Sequence, residues 1–236
     1  MSAEGHDVNV CVIPARGGSE RIPRKNVRDF CGRPMLAWPI EAARASGRFD
    51  RVVVSTDDAE IADAARRYGA EVPFERPARL ADAFTGTRAV LRHAAELLVG
   101  DGATLANVAC LYATAVLFRP EDVRDAFALL DAHPGAERVT AVTPFPHPIE
   151  RALRIDEGGR LAMLHPNHAT TRSQDLEPTY HDAGQFYLWR AEALLAAADT
   201  APPALALVLP RGRVQDIDTP EDWAVAEALF EHRRRP

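Results

Sequence analysis

Short, unbroken apolar runs alternate along this chain with longer stretches whose apolar residues recur every three or four positions. The runs at residues 8–13, 51–55, 107–112 and 138–143 read as strands buried on both faces. The stretches between them carry helical spacing. In the one at 87–98, Val90, Leu91, Ala94, Leu97 and Leu98 share a face. Residues 34–46 form a helix with Pro34 at its start and Gly47 after its end, and Pro39 strains its first turn. Asp57 or Asp58 caps a helix that reaches about Tyr68 and stops at Gly69, and Pro120 opens another over 120–132. Strand and helix in strict alternation predict an α/β fold. Its Rossmann-like, mostly parallel sheet is covered on both faces, with ligands at the carboxyl ends of the strands.

The pattern breaks at residues 143–148, where Pro144, Pro146 and Pro148 mark a rigid departure from the sheet. Residues 152–155 and 161–164 read as a hairpin turned by Glu157, Gly158 and Gly159. A polar, irregular stretch over 166–182 follows, long enough to suggest function or disorder. Strand character returns at 185–189, a helix at 191–198, and strands at 205–209 and 214–217. Thr219 then caps a terminal helix that carries Pro220 in its first turn. The organisation predicted is a core over 1–144 and 184–236, with an insertion at 145–183.

Length and charge narrow the functions. The 236 residues suffice for one core and a small appendage, and a net charge of −6 argues against a nucleic-acid partner. Cys11 and Cys110 sit in apolar runs and read as core residues. With Cys31 they are odd in number and lack metal-ligand spacing. No signal peptide precedes the first strand and no apolar run reaches membrane-spanning length, so the expectation is a cytoplasmic protein without a membrane partner. The arginines at 233–235 read as a solvated tail.

Against this acidic background, the segment 14–26 stands out: adjacent glycines with Arg16, Arg21, Arg24 and Lys25, directly after the first strand. Such a turn can converge N–H groups on an anion while the cations add charge-assisted bonds, which suits a polyphosphate. It has neither the Walker spacing nor the dinucleotide fingerprint, and a plain solvated basic loop remains an alternative. Near the other end, residues 215–219 place Asp216 and Asp218 two apart. In an extended chain they project together while Ile217 packs inward. Two converging carboxylates suit Mg²⁺; the alternative is that Asp218 merely caps the terminal helix with Thr219.

Ile13-Pro-Ala-Arg-Gly-Gly-Ser19, followed by Arg21-Ile-Pro-Arg-Lys-Asn26, resembles the signature of the CMP-sialic acid synthetases, the acylneuraminate cytidylyltransferase family. The resemblance spans residues 8–225. It implies the fold of the nucleotide-diphospho-sugar transferases, CTP and a nine-carbon acidic sugar as substrates, Mg²⁺ as cofactor, and a homodimer whose inserted β-rich element covers the partner's site. It places the nucleotide against Ala15, Arg16, Gly17, Ser19 and Arg21, with Lys25 and Asn26 completing the loop. Arg76 and Thr87 resemble the cytosine reader, Asp216 and Asp218 the metal-binding Asp-x-Asp, and Arg16 and Lys25 the groups that stabilise departing pyrophosphate. Two departures appear. Glu20 replaces a usual lysine and is expected to turn away from phosphates, leaving Arg21 to supply the charge. Ala83 replaces a usual aspartate, with Asp82 one place earlier.

Sugar identity is carried by Leu111-Tyr-Ala-Thr-Ala115, where typical sialic-acid enzymes have Leu-Gln-Pro-Thr-Ser. With His181-Asp-Ala-Gly-Gln-Phe-Tyr187 and Arg172-Ser-Gln174, it resembles the subgroup that activates pseudaminic acid. The implied sugar contacts are Tyr112 and Thr114, Arg172 for the carboxylate, Gln174 and Gln185 for amides, Phe186 and Tyr187 for methyl groups, and His181. Strand alternation sends only one of Phe186 and Tyr187 to a given face. Transfer of CMP to another acidic sugar (N-acetylneuraminic, legionaminic or KDO-like) and a silent nucleotide-binding module stay open as alternatives.

Overall fold

The computed structural model describes residues 7–196 and 202–234. β1 (Val8–Pro14) leads into the loop that carries the glycines and cations, which ends in a two-residue ladder, β2 (Asp29–Phe30) with β3 (Arg33–Pro34). Then come α1 (Ala37–Ala45), β4 (Arg51–Ser55), α2 (Ala59–Arg67), α3 (Thr87–Gly100), β5 (Leu105–Leu111), α4 (Pro120–Asp131) and β6 (Arg138–Pro144). A separate hairpin, β7 (Leu153–Ile155) and β8 (Leu161–Met163), precedes β9 (Tyr180–Arg190), α5 (Ala191–Leu195), β10 (Leu205–Val208) and α6 (Pro220–Arg234).

The main sheet runs β10-β6-β9-β5-β1-β4. Every pairing is parallel except those of β9, which lies antiparallel between β5 and β6. Alternation along the strands builds two cores. Cys11, Ile13, Val52, Val54 and Leu111 face α1, α2 and α4, while Val10, Val12, Val53, Val108 and Cys110 face α3 and α5. That is why these runs are apolar throughout rather than alternating.

A third apolar cluster positions the site. It joins Ile22 of the opening loop and Ile217 of the late acidic segment with Phe30, Met35, Trp223 and Phe230. Phe30 meets Trp223 and Phe230 edge-on at 5.4 and 5.5 Å. Ile22 and Ile217 are 2% and 0% exposed, and burying each contributes roughly 1.5–3 kcal/mol. Two segments almost two hundred residues apart in sequence are thereby packed side by side.

Several boundaries differ from expectation. The first helix begins at Ala37, because Pro34 pairs with Asp29 and the Leu36 N–H bonds the Asn26 carbonyl at 3.0 Å. Pro39 falls in the first turn, where no intrahelical N–H is required, so it is accommodated. Of the two candidate caps of α2, Asp58 serves, accepting from the Ile61 N–H at 3.0 Å, as expected. Residues 214–217 form no strand: after β10, Pro210 has no N–H for a ladder and a 3₁₀ turn over 211–213 redirects the chain. The β9 strand is longer than its apolar run, and its register with β6 shifts around Gly184, whose φ is +60°. The α5 helix ends at Leu195; residues 197 and 198 of the expected helix lie outside the described residues. Arg233 does not belong to a free tail, since it donates to the Leu117 carbonyl at 3.0 Å and lies over Phe230; Arg235 lies outside the described residues. No helix is long and apolar enough to cross a membrane among the described residues.

Candidate active site

The loop after β1 is braced from behind by the loop after β4. The Ala15 N–H bonds the Ser55 carbonyl at 2.9 Å, and the Gly17 N–H bonds Asp57 Oδ1 at 2.9 Å. A Cβ on Gly17 would lie 2.8 Å from Asp58 Oδ2, so only glycine permits this approach. Asn26 is buried and donates to the Arg16 carbonyl at 3.0 Å. Arg24, with a left-handed φ of 57°, forks onto Asp58 and reaches Glu60. Arg24 first, with the Ile61 N–H adding to it, holds the Asp58 carboxyl down at about 2. Arg24 is therefore a strut. Gly17 and Ser19 use their N–H groups on Asp57 and on the Gly17 carbonyl, so anion recruitment falls to the loop's other cations.

Those cations border a cavity of about 310 Å³ at the carboxyl ends of β1 and β5. Arg16, Ser19, Arg21, Lys25 and Asn26 line one side; Arg76, Thr85 and Thr87 line another; Tyr112, Thr114 and Asp218 complete it. Ala15 and Gly17 lie behind the loop rather than on the wall. Glu20 is not turned away: it stands exposed on the cavity rim, where solvent keeps its charge hydrated. Arg76 is no surface residue. It is 4% exposed and donates to the Ser55 hydroxyl at 3.1 Å and to the Ser55 carbonyl; burial pulls it down to about 10. Asp82 accepts from the N–H groups of Phe84 and Thr85 at 2.8 and 2.6 Å, which shapes the rim loop.

A second cavity of about 580 Å³ shares Tyr112 and Thr114 with the first, and is otherwise bounded by His181, Asp182, Gly184, Tyr187, Gln215 and Asp216. The dividing wall is a run of hydroxyls. Thr87 Oγ1 lies 2.5 Å from the Tyr112 hydroxyl, and the Tyr112 and Tyr187 rings meet edge-on at 5.9 Å. The Tyr187 hydroxyl donates to both oxygens of Asp182, at 2.9 and 2.8 Å. Burial pushes Tyr112 up to about 12 and raises Tyr187 as well, so both remain neutral hydroxyls. The His181 Nδ1 lies 2.9 Å from the Asp182 carbonyl, and its ring is 4.9 Å from Phe145.

The remaining residues expected at the sugar are dispersed. Phe186 is fully buried and stacked on Phe118 at 5.0 Å, so alternation gives Tyr187 to the cavity and Phe186 to the core. Gln185 is buried and donates to the Arg213 carbonyl at 3.1 Å. Arg172 is 72% exposed and pairs with Asp175 at 2.7 Å; neither it nor Gln174 lines the two cavities.

The two late aspartates straddle the divide, Asp216 on the second cavity and Asp218 on the first. Capping falls to their neighbours: Asp222 accepts from the N–H groups of Asp218 and Thr219 at 3.1 and 2.8 Å, which leaves Asp218 uncommitted to the helix. Asp218 pairs with Arg21 at 2.8 Å and Lys25 at 3.4 Å, and Lys25 also donates to the Ile217 carbonyl at 2.6 Å. Asp216 forms no ion pair among the described residues, and surrounding protein, then the Asp218 charge, raise its carboxyl above the usual range. No cluster of three or more metal-type side chains exists among the described residues. Asp216, which has no cation partner among the described residues, and Asp218, held only by exposed or shared cations, fit as hard oxygen ligands a divalent ion that takes its other ligands from water and substrate phosphates.

Asp57 and Asp58 close a segment at a strand's end that resembles one near the nucleotide in the family, but from the sequence they read as loop and helix caps, and Asp222 reads only as part of the terminal helix's first turn. Asp182 stands inside the 181–187 run, but its reach to Tyr187, five residues on, depends on the break at Gly184, which no periodicity announces.

The profile of a family described as cytidylyltransferase matches residues 10–199. The chain is 42% identical, over 94% of its length and 96% of the relative's, to a pseudaminic acid cytidylyltransferase of Campylobacter jejuni. It is 33% identical, over the same shares, to a CMP-N,N'-diacetyllegionaminic acid synthase of Legionella pneumophila. Among solved structures it resembles CMP:2-keto-3-deoxy-manno-octonic acid synthetase complexed with CTP, with a TM-score of 0.69 at 18% identity. That likeness covers 96% of this chain and all of the other and concerns the fold.

Proposed function

Since this chain belongs to the cytidylyltransferase family, we propose that it joins CTP and pseudaminic acid into CMP-pseudaminic acid and pyrophosphate. The observation that carries this reading is the shared wall of Tyr112 and Thr114. It joins a cation-lined cavity to one of sugar size, with Asp216 and Asp218 at the seam where an α-phosphate would lie. In this reading Arg76 and Thr87 meet the cytosine, Arg16 and Lys25 hold the β- and γ-phosphates and stabilise the pyrophosphate as it leaves, and the anomeric hydroxyl enters from the second cavity to attack the α-phosphorus in line. Asp216 and Asp218 would hold Mg²⁺, which when bound would supply charge neutralisation on the phosphates. Tyr112 and Tyr187, both neutral, offer hydroxyls to the sugar's amide groups.

The second cavity has two carboxylates and neither lysine nor arginine on its wall, although its proposed substrate is an acid. A second copy of the chain supplies the missing cation in this reading. The hairpin register puts Leu153, Ile155, Leu161 and Met163 on one face, with the first three 56, 71 and 66% exposed. Packing that face against a partner would carry Arg172, on the same insertion, toward the partner's cavity. Light scattering that finds only monomer at assay concentrations would remove this part. A cytoplasmic setting suits a CTP-consuming enzyme whose three cysteines are all unpaired.

The direct test is pyrophosphate release from CTP and Mg²⁺ with pseudaminic, legionaminic, N-acetylneuraminic and KDO-type acids, each product identified by mass. Fastest turnover is expected with pseudaminic acid. Preference for legionaminic acid would favour the function named for the Legionella relative, and no release with any acid from folded protein would reject the transferase reading.

A further inference from the structure

Two cations of the first cavity, Arg21 and Lys25, are paired with one of its carboxylates, Asp218. Arg21 Nη2 is 2.8 Å from Asp218 Oδ1, and Lys25 Nζ is 3.4 Å from the same oxygen. All three side chains line the 310 Å³ cavity assigned above to the triphosphate. Asp216, the other carboxylate of the pair, has no cation partner among the described residues. Asp218 is therefore neutralised by protein cations in the absence of ligand, and Asp216 is not.

We propose that Arg21 is a placeholder cation: it occupies Asp218 until a divalent metal arrives, and is then released to the nucleotide's phosphates. This rests on the reading of the cavity as a metal–CTP site. Three observations carry the exchange. Arg21 is 67% exposed and Asp218 34%, so the pair can part without exposing a buried charge. The distances show that Arg21 and Lys25 share a single oxygen, which a metal ligated by Asp218 would claim. Lys25 is anchored apart from that oxygen by its 2.6 Å bond to the Ile217 carbonyl, and its side chain is only 19% exposed, so Arg21 is the partner free to swing. Ile22, the next residue, is fixed in the apolar cluster with Ile217, so the swing is confined to the Arg21 side chain.

The consequence is thermodynamic. Metal binding to Asp218 frees a cation for phosphate, and phosphate binding draws Arg21 from Asp218 and opens it to metal. Each ligand therefore tightens the other beyond their own direct attraction. Arg21 opposes metal binding in the empty protein and supports nucleotide binding in the loaded one. An ordinary phosphate-binding arginine would do only the second.

The test measures free Mn²⁺ by electron paramagnetic resonance as it is titrated into the full chain, with and without a CTP analogue blocked at the α–β bridge. Metal-free analogue binding is measured by calorimetry in parallel. Arg21→Gln is expected to bind Mn²⁺ about two- to fivefold more tightly than wild type in the absence of nucleotide, the size an exposed ion pair carries. The same variant should bind the analogue more weakly. Arg21→Lys, which keeps the charge, should restore wild-type values on both. Unchanged or weaker Mn²⁺ binding by Arg21→Gln, with nucleotide binding reduced, overturns the exchange but leaves the nucleotide site standing. Failure of wild-type protein to bind both Mn²⁺ and the analogue overturns both.

Discussion

The two cavities that meet at Tyr112 are built on opposite principles. The first gathers Arg16, Arg21, Lys25 and Arg76 around a space framed by backbone braces, so its charge comes from one continuous loop and one buried arginine. The second holds Asp182 and Asp216 with tyrosine hydroxyls and a histidine, contributed by a distorted strand and a strandless segment. A polyanion can be met by a single chain, because a short glycine-bearing loop concentrates several cations in one place. A sugar acid cannot be met by the second cavity as it stands. On the function proposed above, the first cavity draws its cations from its own chain, whereas the second would need one from a metal or a partner.

The largest effect should come from the residue that stands between them. Asp216→Asn is expected to lower kcat by about 10²–10³ at saturating CTP and sugar, as loss of a preorganised charge at a reacting centre does. Asp216 forms no ion pair among the described residues, so thermal unfolding should move little. Pyrophosphate release with matched melting curves checks both. If kcat survives and only the KM for sugar rises, Asp216 serves the sugar alone and the two-sided metal ledge is wrong.

A paired substitution sharpens the division. Arg16→Met removes a charge-assisted contact and should raise the KM for CTP about 10- to 100-fold while leaving that for the sugar within about twofold. Tyr187→Phe removes the hydroxyl that donates to Asp182 and should raise the KM for sugar about two- to tenfold with CTP unaffected. Should either variant shift both constants, the hydroxyl wall from Thr87 through Tyr112 couples the cavities instead of separating them.

The same contrast explains what the sequence made legible. The first cavity is legible because three of its four cations, Arg16, Arg21 and Lys25, lie within ten residues of one another after an apolar strand, a local pattern; Arg76 comes from elsewhere in the chain. The parallel sheet was readable for the same reason, each strand being a run buried on both faces. The second cavity depends on contacts that sequence spacing does not encode. Alternation along β9 separates Phe186 from Tyr187 as the spacing predicts, but the burial of Gln185 beside the break at Gly184, with its bond to the Arg213 carbonyl, has no such signal. Residues 214–217 read as a strand from their apolar positions, yet the Val214 N–H turns back to the Arg211 carbonyl, the Gln215 side chain donates to Asp222 and the Ile217 carbonyl accepts from Lys25, in place of a ladder to a neighbouring strand. Among the described residues the Arg172 side chain pairs with Asp175, and it borders neither cavity, so its expected contact with the sugar carboxylate has no support within one chain.

The smallest expected effect concerns the brace behind the first cavity, and its sign follows from Arg24. Asp58 titrates at about 2 in the folded chain, against 3.8 for an unperturbed carboxyl, because Arg24 and the Ile61 N–H favour its charged form. A group depressed on folding contributes stability that is fully present above its unfolded value and disappears as pH falls through the folded one. The pair's contribution should therefore be intact above about pH 4 and vanish toward pH 2. Asn caps a helix about as well as Asp, so Asp58→Asn removes the ion pair while keeping a partner for the Ile61 N–H. With Arg24 41% exposed, the pair is worth at most about 1 kcal/mol, or about 2–4 °C in a chain of this size. Calorimetric melting of both proteins at stepped pH should show wild type ahead by that margin at pH 6, with the gap closing between pH 4 and 2. A gap that stays constant down to pH 2 would mean that Arg24 does not hold Asp58, and that the cation loop keeps its shape through Gly17 and Asn26 alone.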